Sequence, residues 1–172
     1  LLGNLPHELA IATGLVAGTV VIHLIGLEGL MRLTDLYLRR FLSAWVHVDR
    51  LLVPLGIVLG LFVVHGAEIW LYALFFLGMG ILPDLEAALY FSTSAYSTLG
   101  EAGAFLPDEW RVLGVLEGIN GMLLLGWSTA FLFQVLGHLM ESEGDHPLPK
   151  GAIARSSARA PRRKSARVKP KS

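Results

Sequence analysis

Three long apolar runs set the strongest limit on what this chain can fold into. They cover about residues 9–30, 51–82 and 112–139, interrupted by His23 and Glu28, by His65 and Glu68, and by Glu117 and Asn120 respectively. A membrane-crossing helix needs roughly 20 apolar residues, and each run is long enough. Within a bilayer the backbone must satisfy its own hydrogen bonds, so each run is read as a helix. Gly14, Gly18, Gly26, Gly56, Gly60, Gly114, Gly118, Gly121 and Gly126 suit close helix–helix contact in lipid. With 53% hydrophobic and 16% charged residues, the chain is too apolar for an ordinary soluble domain of 172 residues.

The formal net charge of zero hides a division. Residues 150–172 carry nine of the fourteen basic residues and no acid, and the other 149 residues carry all fourteen acids. This Pro/Ser/Ala/Lys/Arg-rich tail cannot bury a core, so residues 141–172 are expected to be a disordered basic tail. Its charge suits anionic lipid headgroups and stop-transfer anchoring, and nucleic-acid binding is not expected. Residues 31–50 hold Arg32, Arg39, Arg40 and Arg50, whereas only Arg111 lies between the second and third runs. Basic residues mark the cytoplasmic side. The expected topology in the inner (plasma) membrane therefore has the connector and tail in the cytoplasm, and the N-terminus outside. Residues 1–10 carry no basic residue, which argues against a cleaved signal peptide, so the first run is expected to remain in the mature chain. The connector, with Leu33, Tyr37, Phe41, Trp45 and Val48 at helical spacing, has two open readings: a helix lying on the membrane surface, or an extension of the first span.

A fourth apolar stretch, residues 85–96, is too short to span. Pro83-Asp84 before it is a helix-start signal, with Asp84 as the cap, and Ser97-Thr98-Leu99-Gly100 ends it. A short helix and glycine-containing turn between two full spans is the layout of a re-entrant loop. Such backbone survives at membrane depth only when packed in protein or lining an aqueous path.

The stretch Ala87-Ala88-Leu89-Tyr90-Phe91-Ser92-Thr93-Ser94-Ala95-Tyr96-Ser97-Thr98-Leu99-Gly100 resembles the pore helix and filter start of the potassium channel superfamily. His65-Gly66-Ala67-Glu68-Ile69-Trp70 is similar to the outer helix of its small bacterial ion-channel-domain proteins. Trp110-Arg111, Glu117-Gly118-Ile119-Asn120-Gly121 and Gly126-Trp127-Ser128-Thr129-Ala130-Phe131-Leu132-Phe133 are similar to their inner helix. The resemblance covers about residues 51–140. It implies a pore domain of outer helix, pore helix, filter and inner helix, following a first span in residues 1–30 and a connector in 31–50. It further implies four copies around one axis, because one loop cannot enclose a pore. Thr98, Leu99, Gly100, Glu101, Ala102 and Gly103 would form the filter, with potassium or sodium as the permeant ion and no other cofactor. Ser128 and Thr129 would line the cavity. Gly121 and Gly126 have two open readings, a bending point for a gate or close packing alone.

The filter departs from its family. Gly-Tyr-Gly-Asp reads here as Gly100-Glu101-Ala102-Gly103. Alanine resists a left-handed backbone by roughly 1–2 kcal/mol. The outer potassium sites are therefore in question, and the inner ones around Thr98, Leu99 and Gly100 remain open. Four Glu101 carboxylates would favour cations, divalent ones included. Asp84, Glu101, Asp108 and Glu109 on the outer side would make an acidic vestibule.

Four further polar residues are read as braces. His65 and Glu68 share a helix face, and so do Glu117 and Asn120. Two ligands are too few for a metal site, so no metal is assigned. His23 and Glu28 fall outside the resemblance, with Arg32 in reach of Glu28. There are no cysteines, P-loop, zincin motif or nucleophile–base pair, so enzyme chemistry is not expected. The expected function is a homotetrameric cation channel with reduced potassium selectivity. The alternative is a non-conducting scaffold or accessory subunit on the same fold. A His/Glu-based transporter is weaker, because no internal repeat is present.

Overall fold

The computed structural model describes residues 5–41, 46–99 and 106–144, with side chains placed for 6–40, 52–99 and 106–137. All its regular elements are helical: α1 (Leu5–Phe41), α2 (Val46–Gly78), α3 (Leu85–Tyr96), a single 3-10 turn (Asp108–Trp110) and α4 (Arg111–Gly144). The chain forms two units, Leu1–Leu136 and Gly137–Ser172. The first holds everything described below, and the second contributes the helical residues 137–144.

Three helices are long and apolar enough to cross a membrane, over Pro6–Arg40, Leu52–Gly78 and Asp108–Gly137. The connector question has a plain answer as far as Phe41. Helix α1 runs on without a break through Arg32, Arg39 and Arg40, and Arg32 Nε donates to Glu28 Oε1 at 2.8 Å one turn earlier. At 37 residues α1 is about 55 Å long, well beyond the roughly 30 Å of a bilayer's hydrocarbon, so its polar end projects past the apolar part.

Helices α1 and α2 pack where one gives up a side chain and the other fills the space. A methyl group on Gly26 would sit 2.4 Å from Val64 Cγ2, and one on Gly60 would sit 3.0 Å from the Leu30 side chain. Lipid offers little hydrophobic drive for helix pairing, so such close contact is the main attraction available. Helix α2 ends on a left-handed glycine. Gly80 has φ +66°, Gly80 N donates to Leu77 O, and Ile81 N donates to Phe76 O, both at 3.0 Å. These paired bonds satisfy the last carbonyls of the helix, and glycine adopts the conformation without a Cβ penalty.

The short helix α3 begins where the sequence places it. Asp84 is extended, and its Oδ1 accepts from Ala87 N at 2.8 Å. Asp84→Ala is expected to cost about 1 kcal/mol, read as a lower thermal midpoint of the purified chain in detergent. At 12 residues α3 is about 18 Å long and cannot span. It is held against α2 and α4 by the main apolar core: Tyr72, Ala73 and Phe76 of α2, Ala88, Phe91 and Ala95 of α3, and Leu113 of α4. Phe76 and Phe91 meet edge to face at 5.1 Å. Leu106, where the described chain resumes, is buried in the same core.

A carboxylate from the far end of the sequence starts α4. Glu8 of α1 is buried, and its Oε1 accepts from Leu113 N at 2.8 Å. The first N–H groups of a helix have no partner within it, and an acidic group there also meets the positive end of the helix dipole. Sequence reading missed this cap, because spacing along one helix says nothing of a partner on another. Its partner lies 105 residues away.

Candidate functional site

Helix α3 ends deep among its neighbours. Ala95 O lies 3.0 Å from where a Cβ on Gly118 would stand, and Tyr96 O lies 2.2 Å from the same point on Gly121. Gly114 meets Phe91 in the same way, so three glycines on one face of α4 form the bed of α3. The Tyr96 hydroxyl reaches His65 and Glu68. His65 is central in the apolar span of α2, and Gly121 lies near the centre of that of α4.

The end of α3 repeats the closing pattern of α2 with a different residue. Thr98 N donates to Ala95 O and Leu99 N to Ser94 O, at 3.0 and 3.1 Å. Thr98 occupies the left-handed position, with φ +59°. It is the only non-glycine residue with positive φ among the described residues. A β-branched side chain there is a true outlier, costing roughly 1–2 kcal/mol. Thr98→Gly is therefore expected to raise thermal stability by about 1 kcal/mol in the purified chain. Thr98 is exposed, and Leu99 is 81% exposed, so the described residues leave this turn uncovered. Gly100, Glu101, Ala102 and Gly103 lie outside the described residues.

Behind the turn lies a buried polar network that joins all four helices. Glu68 is its centre. His23 Nδ1 of α1 is 2.9 Å from Glu68 Oε1, and His65 Nδ1 is 2.9 Å from Oε2. The Tyr96 hydroxyl of α3 donates to Oε2 as well, and it lies 2.9 Å from His65 Nδ1. Ser128 Oγ of α4 is 2.8 Å from His65 Nε2. The His23 ring packs against those of His65 and Trp127, at 5.5 and 5.4 Å. Polar groups so far from water need partners, and sharing one carboxylate supplies them.

The sequence pairs His65 with Glu68 by spacing alone, and the structure adds His23, Tyr96 and Ser128. Nothing local identifies His23 as their partner, because it lies 45 residues before Glu68 on a separate helix. Ser128 and Thr129 are adjacent in sequence but differ in surroundings. Ser128 is buried on His65, while Thr129 is exposed and its hydroxyl donates to Leu125 O of its own helix. Adjacent helical residues point about 100° apart, which separates the two.

Glu117 and Asn120 are both buried, in different company. Asn120 Nδ2 donates to Thr19 Oγ1 at 2.8 Å and to the Tyr72 hydroxyl at 3.3 Å, tying α4 to α1 and α2. The Glu117 carboxyl is buried near Ser92 of α3, and neither side chain makes a hydrogen bond of good geometry among the described residues. Gly126 has open space where a side chain would stand, unlike Gly121. Asp84 and Asp108 are exposed, the latter paired with Arg111 at 2.9 Å.

No protein-family model, curated protein or solved structure matches this chain significantly.

Proposed function

We propose that the chain is one subunit of a homotetrameric cation channel, with α3 as its re-entrant pore helix and residues 98–103 as its filter. The observation that carries this reading is the position of the Thr98-Leu99 turn. It follows a helix end packed beside the centres of two membrane-length helices, and the described residues do not cover it. Irregular backbone at that depth needs protein around it or water in front of it. Four copies around an axis supply both. The C-terminal end of α3 carries the negative end of a helix dipole, which favours a cation beside it.

Three residues shape the ion preference. Glu101 in four copies adds a ring of carboxylates, with room for a divalent cation in competition with monovalent ones. Ala102 and Gly103 remove the second glycine and the outer acid of a potassium filter. Weak selection between potassium and sodium follows. The basic residues of the α1 end and the tail favour the cytoplasmic side, with the filter opening outward and the tail on anionic headgroups.

Purified full-length chain in liposomes tests this. The expected result is a tetrameric mass in detergent, and potassium and sodium flux above protein-free vesicles with similar rates. A tetramer that conducts nothing would favour the scaffold reading, which the altered filter residues also suit. A high potassium-over-sodium ratio would overturn the selectivity assignment.

A further inference from the structure

We propose that His23, His65 and Glu68 form a binding site for a divalent transition-metal ion of the zinc class, with the Tyr96 hydroxyl in the fourth position. Spacing along α2 offers only two ligands, and packing of α1 brings a third. One ring nitrogen of each histidine and a Glu68 oxygen all lie within 4.8 Å of one another. Two imidazole nitrogens and a carboxylate oxygen form a donor set suited to zinc, and to cobalt or nickel in its place.

The geometry is close to what such an ion needs. Tetrahedral bonds of about 2.0 Å place ligand atoms about 3.3 Å apart. Each histidine lies 2.9 Å from its own Glu68 oxygen, so one carboxylate reaches both rings, and each pair must open by a few tenths of an ångström to admit an ion. His65 and Glu68 are fixed one turn apart on α2, and His23 is fully buried opposite them. The Tyr96 hydroxyl, 2.9 Å from His65 Nδ1, is already beside the position a fourth ligand would take.

The outer partner of His65 agrees with ligation through Nδ1. A metal-bound histidine usually donates its other ring N–H to an acceptor, which fixes the tautomer. For His65 that acceptor is Ser128 Oγ, 2.8 Å from Nε2. His23 Nε2 is buried beside Trp127 and has no hydrogen-bond partner among the described residues, so this support comes from His65 alone. The dication would also balance the charge of a carboxylate placed far from water. The site uses none of residues 98–103 and does not depend on the channel reading. Bound there, the ion would tie α1 and α2 to Tyr96, two residues before the Thr98 turn.

The test uses full-length chain in detergent, stripped with chelator and reloaded with zinc or cobalt alone. The expected result is about one zinc per chain by elemental mass spectrometry, and a visible absorption band of low-symmetry cobalt. A rise in thermal midpoint on zinc addition is also expected. His23→Gln should lose the bound metal, and Ser128→Ala should weaken binding roughly 10–100-fold. Failure of wild-type chain to take up zinc or cobalt would overturn the proposal. So would metal retained at full affinity by a folded H23Q/H65Q chain, because the remaining histidines would then be its ligands. Neither outcome bears on ion flux.

Discussion

Gly121→Ala is expected to destabilise the chain by about 3 kcal/mol or more, the largest effect of any glycine-to-alanine change among the described residues. The added carbon would stand 2.2 Å from Tyr96 O, 2.9 Å from Tyr96 C and 2.8 Å from Tyr96 Cγ. Two of these atoms are backbone, so no side-chain rotation relieves the clash. Overpacking of this kind costs about 1–3 kcal/mol where side chains can yield, and more where they cannot. The end of α3 would be pushed off α4, moving the Thr98 turn with it. Gly126→Ala is the matched control. No atom lies within 4 Å of its added carbon, and alanine favours a helix over glycine by up to about 1 kcal/mol. Thermal unfolding in detergent, followed by tryptophan fluorescence, should separate the two by several degrees in opposite directions. Equal midpoints would mean that α3 does not rest on Gly121.

Glu68→Ala is expected to cost about 3–5 kcal/mol, measured in chelator-treated buffer so that no metal contributes. The substitution leaves the largely buried His23, His65 and Tyr96 facing a gap. Removing one member of a buried polar cluster strands the others, and the loss reflects those stranded groups as much as the missing bonds. Helices α1, α2 and α3 all meet at this carboxylate, so the loss should appear as weaker attachment of α1 to the rest. Faster protease cleavage between α1 and α2 would report it. A midpoint within a degree of wild type would contradict the network as described.

How far the sequence reaches is clearest from Asp84 and His23. Asp84 caps a helix that starts one residue later, and capping is a local matter of a short side chain bonding N–H groups three residues on. The apolar runs likewise report their own length against a bilayer, so the three membrane-length helices could be read directly. His23, Glu8 and Thr19 could not be assigned partners in this way. Their partners are Glu68, Leu113 N and Asn120, between 45 and 105 residues distant. A polar residue in an apolar run says that a partner exists, but the partner is chosen by how helices pack. The same limit applies to glycine. Gly121 and Gly126 have equal claims by spacing, and only the approach of Tyr96 O distinguishes the packed one from the open one. Thr98 shows a third case, where local preference and structure disagree. Threonine is a poor residue for a left-handed helix end, yet it stands where α2 uses Gly80.

The central claim is that the uncovered turn at Thr98 faces an ion path shared by four copies. The chain has no cysteine, so a single Thr98→Cys substitution gives one reactive position. Cation flux should be measured in liposomes before and after a small, positively charged thiol reagent. Wild-type vesicles should show flux that the reagent leaves unchanged, and T98C vesicles flux that it abolishes. Wild-type vesicles as tight as protein-free ones, or T98C flux undiminished after complete labelling, would contradict the claim.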